Sequence, residues 1–369
     1  MKHCNRCVLP DTKPDLQIDA DGVCSACRNY EGRKEIDYAA RLIELKAILE
    51  KYRSKNGWRY DCIVPSSGGK DSTYQALKMK ELGMNPLVVT ATTDHLTDLG
   101  RHNLENLKLQ GVDTIEVTPN PVIRRRINRF ALETVGDISW PEHVLIFTIP
   151  VRLAVQMRIP LIIWGENSQH EYGGPAAAAQ SNVLNRRWLE EFGGLNGLRV
   201  SDVQEILDID PKEMLQYTYP SDEELSEVGV TGLFLGHYIP WSGRENAEFA
   251  KRHGWETYDK LVEGSIVDYE NLDNAQTGIH DYFKWLKFGF GRASDLISMA
   301  IRRGTMSREQ GIKLVQERDG QYPETYLGIP LSHVLSEIGV TRQYFDCICE
   351  KFRNKKIIDE NFELMYPPC

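Results

Sequence analysis

The residues of this chain that could do chemistry gather in a few short stretches, and the most specific is "VPSSGGKDST", residues 64–73. An apolar run, Cys62-Ile63-Val64, precedes it, and a helical pattern with Tyr74, Leu77 and Leu82 follows. A strand, a glycine turn and a helix start together aim backbone N–H groups and the positive end of a helix dipole at an anion. Gly68 and Gly69 let the backbone come close to phosphate oxygens. Ser67 and Ser72 add hydroxyl donors, Lys70 adds a positive charge, and Asp71 stands where a carboxylate caps the helix or helps hold Mg²⁺. The nucleotide-hydrolysing pattern G-x-x-x-x-G-K-[ST] is excluded, because Asp71 follows Gly69-Lys70 and no glycine occupies the upstream position.

Four of the eight cysteines, Cys4, Cys7, Cys24 and Cys27, form two C-x-x-C pairs. Each tight turn places two sulfurs on one side of an ion, and four thiolates leave no open position, so a structural Zn²⁺ is expected, with an iron–sulfur cluster as the alternative. The intervening "VLPDTKPDLQIDADGV" cannot bury a core alone, so metal would hold it together. "GENSQHEYGG" brings Glu166, His170 and Glu171 to the end of an apolar strand; they suit Mg²⁺ binding, substrate orientation or a base, against the plainer reading of a capped surface loop. "VTATTDHL" follows another strand, with Asp94 able to face phosphates. In "GIHDYFKWLKFGFGRASD", Lys284, Lys287 and Arg292 sit among aromatics; they suit a phosphorylated sugar, or else an amphipathic helix with snorkelling lysines. The run Arg124-Arg125-Arg126 with Arg129 reads as a solvated face, and His237 as a weaker catalytic candidate than Glu166.

These stretches need a scaffold, and the pattern around them supplies one. Short apolar runs at Cys62–Val64, Pro86–Thr90, Thr114–Val117, Leu161–Trp164 and Leu233–Leu235 alternate with helical patterns, including an amphipathic one over residues 34–55. That alternation predicts an α/β fold with a parallel sheet covered on both faces, and ligands beyond the carboxyl ends of its strands. Three units are expected: a cysteine ribbon over 1–33, the sheet domain over 34–242 and a mainly helical region over 243–369. The chain has 369 residues, 41% hydrophobic and 26% charged, with net charge −9. That balance disfavours a nucleic-acid surface. The start "MKHCNRCVLP" lacks a signal-type apolar region, and two arginines and two prolines interrupt "VLIFTIPVRLAVQMRIPLIIWG", so no membrane span and a cytoplasmic location are expected.

The order S-G-G-x-D-S resembles the PP-loop of the ATP pyrophosphatases. Together, "CNRCVLPDT…DGVCSACRNYE", "SSGGKDST", "GENSQHEYGG" and "TGIHDYFKWLKFGFGRASD" resemble the N-acetyl sugar amidotransferases of bacterial surface-polysaccharide synthesis, in the same order over nearly the whole chain. The resemblance implies ATP-dependent conversion of a sugar's acetamido group to acetamidino, on a nucleotide-linked sugar, through an O-adenylated intermediate. It implies that Ser67, Gly68, Gly69, Lys70 and Ser72 hold pyrophosphate, with Asp71 completing the loop. The backbone of Thr90, Ala91 and Thr92 takes the adenine edge, and Gly165 lies on the same side. Catalysis falls to Asp71, Glu166 and Lys70. It further implies a separate glutaminase partner with a cyclase-like subunit, resembling the components of imidazole-glycerol-phosphate synthase.

The chain itself offers no glutaminase cysteine: residue 2 is Lys2, Cys62 falls in a buried strand, and Cys347 and Cys349 fall in a predicted helix. The alternative is a tRNA-directed reaction of the thiolation type, which the acidic balance and the cysteine positions disfavour.

Overall fold

A computed structural model describes residues 1–93, 95–166, 183–184 and 194–368. His170, Glu171 and Asp94 lie outside the described residues.

The apolar runs pair into one sheet. Its strands are β1 (Cys62–Pro65), β2 (Pro86–Ala91), β3 (Asp113–Val117), β4 (Leu161–Trp164), β5 (Val183–Leu184) and β6 (Thr231–Phe234), in spatial order β3-β2-β1-β4-β6-β5. The first five in that order run parallel, and the two-residue β5 joins β6 antiparallel. Side chains alternate between the faces of a strand, and both faces here are dry. Ile63, Leu87, Val89, Ile162 and Phe234 face helices α5 (Pro121–Val135) and α6 (Trp140–Gln156). Cys62, Val64, Val88, Ile163 and Leu233 face α2 (Tyr38–Tyr52), α3 (Lys70–Glu81) and α4 (Asp98–Leu109). That double burial explains why the strands read as near-continuous apolar runs. The long apolar stretch is α6 followed by β4, and among the described residues no helix is long and apolar enough to cross a membrane.

The chain order places the site. From β1 the sheet grows one way to β2 and β3, then resumes on the other side of β1 with β4. The crevice at the carboxyl ends of β1 and β4 is the switch point where such sheets bind ligands. The Ser66–Ser72 loop leaves β1 there, and Gly165-Glu166 leaves β4 beside it.

After α7 (Gly243–Lys251) the chain is irregular to residue 276, where a continuous helical region was expected. Helices α8 (Thr277–Phe288), α9 (Arg292–Arg302), α10 (Arg308–Arg318), α11 (Leu331–Glu337) and α12 (Arg342–Phe352) follow. Ile279, Phe283, Leu286, Leu335 and Phe345 form a second core with Leu132 and Ile138. The N-terminal cysteines pack with Leu9, Leu16 and Val23 against Phe290, so α1 (Ser25–Gly32) begins on the C-terminal half.

The basic run Arg124–Arg126 is a solvated face in part: Arg125 and Arg126 are exposed, with Arg129 beyond them, and Arg124 is not. Arg124 is buried and donates to the carbonyl of Thr92, Arg125 pairs with Glu337, and Arg126 donates to the carbonyl of Leu207.

Candidate active site

Four contacts set the shape of the loop after β1. Ser66 Oγ takes the N–H of Gly68 at 3.1 Å and meets Ser72 Oγ at 2.9 Å. Ser72 Oγ donates to the carbonyl of Gly69 at 3.1 Å, and Trp255 Nε1 donates to that of Gly68 at 2.8 Å. Gly68 has φ +82°, and a Cβ there would stand 2.7 Å from Leu104 Cγ. Only glycine meets both demands. Gly69 then caps α3 with extended backbone, leaving the N–H groups of its first turn toward the crevice.

Lys70 points inward. Its ammonium is 2.9 Å from Asp71 Oδ2 and 2.7 Å from Glu270 Oε1. Burial works against its charge, but these two carboxylates outweigh it and hold the group protonated well above the ordinary lysine range. Asp71 Oδ1 accepts from Asn246 Nδ2 at 2.7 Å. Burial, then Asp71, push the Glu166 carboxyl up to about 7, with Glu270 adding to the rise and Lys70 opposing it. Asp273 is likewise raised by burial, although the Ser67 hydroxyl and Lys70 pull it back. The site thus holds more carboxylate than its one lysine neutralises, a donor set suited to a divalent cation.

Two cavities meet at this cluster. One, of about 460 Å³, is lined by Ser66, Ser67, Gly69, Ser72, Ala91 and Thr93, together with Gly165, Asp273 and Arg292. The other, of about 810 Å³, is lined by Tyr30, Arg33, Tyr38, Arg244 and Arg303. Lys70, Asp71, Glu166, Tyr269 and Glu270 line both. Such an arrangement can hold a nucleotide on one side, a second reactant on the other, and the reacting atoms between them.

The sequence-predicted residues divide accordingly. Ser67, Gly68, Gly69, Lys70, Asp71, Ser72, Ala91, Gly165 and Glu166 come together around the crevice. Thr90 is buried in β2, and the N–H of Thr92 is bonded to the carbonyl of Val117 at 3.0 Å. Lys284 and Lys287 line neither cavity: Lys284 is 2.9 Å from Asp295 Oδ2, and Lys287 donates to the carbonyl of Val135 at 3.2 Å. Arg292 pairs with Asp281 at 3.3 Å and also reaches the smaller cavity. His237 sits over Tyr238, its carbonyl accepting from Arg41 at 2.7 Å. Glu270, Asp273, Trp255 and Asn246 went unread in the sequence; the one signal was the acidic, aromatic "VDYENLD", residues 267–273, inside a stretch without periodicity.

The cysteines converge as their spacing requires. Cys4 and Cys27 sulfurs are 3.9 Å apart and Cys7 and Cys24 sulfurs 3.6 Å, all four buried and within 4.8 Å of one another. Sulfurs about 2.3 Å from one tetrahedral centre lie about 3.8 Å apart, so the four fit one ion. The Cys24 N–H donates to Cys4 Sγ at 3.2 Å. A second cluster joins Asp137 to His280 Nδ1 at 2.8 Å and to His143 Nδ1 at 3.6 Å. Despite burial, the two histidines hold Asp137 ionised well below the usual carboxylate range. It ties α6 to α8 and lines neither cavity.

No curated protein matches the chain. Residues 245–366 match the family model described as the C-terminal domain of the WbpG-like LPS biosynthesis protein. That stretch carries Asn246, Trp255, Glu270 and Asp273, the residues that complete the crevice, and the match fits a sugar-modifying role in lipopolysaccharide biosynthesis.

Proposed function

We propose that the chain is an ATP-dependent sugar amidotransferase, converting an acetamido group to acetamidino in the cytoplasm during lipopolysaccharide synthesis. The observation that carries this reading is the meeting of two cavities at Lys70, Asp71, Glu166 and Glu270. In this reading the loop after β1 is a PP-loop, and its N–H groups with Ser67, Ser72 and Lys70 hold the β- and γ-phosphates. The sugar enters from the larger cavity. Its amide oxygen attacks the α-phosphorus, the bond to the β-phosphate oxygen breaks, and pyrophosphate leaves with that electron pair. Ammonia then adds to the imidate carbon, AMP departs, and one proton is released. Glu166, with its carboxyl poised near 7, takes that proton, as a base matched to neutral pH should. Asp71 is the carboxylate that would hold Mg²⁺, which when bound neutralises phosphate charge. The protein's larger contribution is in-line positioning and a fixed electrostatic frame.

The four-cysteine cluster is read as a zinc ribbon with a structural role. Ammonia comes from a separate glutaminase paired with a cyclase-like subunit, a reading supported by Cys62, buried within β1, and by Cys347 and Cys349, within α12, none at a strand-to-helix elbow. The test supplies the chain with ATP, ammonium and acetamido sugars, and follows pyrophosphate, AMP and the amidine. Pyrophosphate release with tRNA and with no sugar would overturn the reading.

A further inference from the structure

The larger cavity has a charge pattern that the reacting cluster does not need. Arg33 leaves the end of α1, Arg303 follows α9, and Arg244 opens α7; all three line this cavity and not the smaller one. Glu245, exposed in the first turn of α7, is the carboxylate on the same part of the wall. Burial pushes the Arg33 guanidinium down to about 10, Tyr38 partly offsets this, and Arg303 and Arg302 lower it further by repulsion. Three guanidiniums thus share one cavity with the reacting cluster of Lys70, Asp71, Glu166 and Glu270. Tyr30 lies under Arg33 at 5.6 Å, and Tyr269 feels both Arg303 and Arg244. A guanidinium offers paired donors that match a phosphate edge, which suits this wall to a tetrahedral oxyanion.

The cysteine knuckle brings these arginines together. Cys27 lies in the first turn of α1, and Arg33 caps the carboxyl end of the same helix. Arg308, just after Arg303, donates to the carbonyl of Cys7 at 3.1 Å and to that of Cys4 at 3.3 Å. Thr12 Oγ1 donates to the carbonyl of Phe288 at 2.5 Å, and Lys13 pairs with Asp295 at 3.4 Å, so the knuckle is fastened to α8 and α9 as well.

We propose that Arg33, Arg303 and Arg244 are specificity-determining residues that hold a phosphate group of the sugar substrate, and that the cysteine knuckle is the device that sets Arg33 against Arg303. This rests on the two-substrate reading above, and the experiment separates the two. The protein is first saturated with α,β-methylene-ATP, then titrated with inorganic pyrophosphate as the probe, with succinate as the carboxylate control. Arg33→Ala and Arg303→Ala each weaken pyrophosphate binding about tenfold to a hundredfold, the loss of a charge-assisted contact. Affinity for the ATP analogue stays unchanged, which also reports that the variants are folded. Arg308→Ala weakens pyrophosphate binding in the same direction, through the knuckle. Equal pyrophosphate affinity in wild type and both cavity variants would overturn the proposal, as would succinate binding as tightly as pyrophosphate. An unaltered affinity in Arg308→Ala would overturn the role of the knuckle. Failure of wild type to bind the ATP analogue would instead sink the nucleotide reading and leave the arginine site to be judged by pyrophosphate alone.

Discussion

Replacing Glu166 with Gln should remove activity and raise stability, with a gain that grows between pH 4.5 and 7 and is full above that window. The carboxyl titrates near 7 in the folded protein against an ordinary 4.5. Above pH 7 the folded state must keep a charge that burial, Asp71 and Glu270 oppose, whereas the unfolded chain keeps it freely. Between pH 4.5 and 7 the folded state binds more protons than the unfolded one, so stability falls as pH rises through that window. One pKa unit is about 1.4 kcal/mol, so the full penalty is about 3 kcal/mol. Gln is close to isosteric and carries no charge. Chemical denaturation of both proteins in metal-free buffer should therefore show Glu166→Gln more stable by about 3 kcal/mol at pH 8, with the gap closing near pH 4.5. Wild-type turnover should rise with pH through about 7, as the carboxylate that accepts the proton is freed. A stability difference that does not change between pH 5 and pH 8 would refute the electrostatic account of this residue.

Ser67→Ala or Asp71→Ala should lower kcat by about a hundredfold or more while the thermal melt stays within a few degrees, because each acts on the charge that develops in the transition state; near-normal turnover in a purified variant would remove the loop from the reaction. Gly68→Ala should cost ATP affinity at least about tenfold, since the loop must abandon its positive φ and the added methyl meets Leu104; calorimetric titration with an ATP analogue is the measure. Lys284→Ala should destabilise by about 1 to 2 kcal/mol with the sugar KM unchanged, because Asp295 then keeps only Lys13 and Asp281 only Arg292 in a buried ion cluster; a raised KM in an otherwise stable protein would return Lys284 to the substrate. Anaerobically purified protein should carry one zinc that is lost in Cys24→Ser, and elemental analysis finding iron with sulfide would replace zinc with a cluster.

The sheet was legible because each parallel strand is buried on both faces and announces itself as an apolar run, and because the loop after β1 uses residue types that few other structures require. The cysteine cluster was legible for the same reason: two C-x-x-C turns have little else to do. Local pattern says less about which way a charge points. Lys284 and Lys287, on one helix face among aromatics, read as holding a phosphorylated sugar or as snorkelling lysines, yet Asp295 on the next helix and the Val135 carbonyl engage them. Arg124 looked like part of a solvated run, and the Thr92 carbonyl took it into the interior. Glu270 and Asp273 come from an irregular stretch, where no periodicity marks position and only the folded chain shows that they face Lys70 and Ser67.

The Trp255 bond to the Gly68 carbonyl bears on how such a chain comes to life on the ribosome. The sheet and the loop after β1 emerge first, but the indole that pins the loop, the glutamate that holds Lys70 and the aspartate that meets Ser67 all emerge later, beyond residue 242, where the sequence suggests a boundary. A half-made chain therefore owns a loop without a grip. The proposed reaction has to wait until residues 243–273 are made, and the boundary that reads as a seam between two domains in the sequence passes through the middle of a single working part.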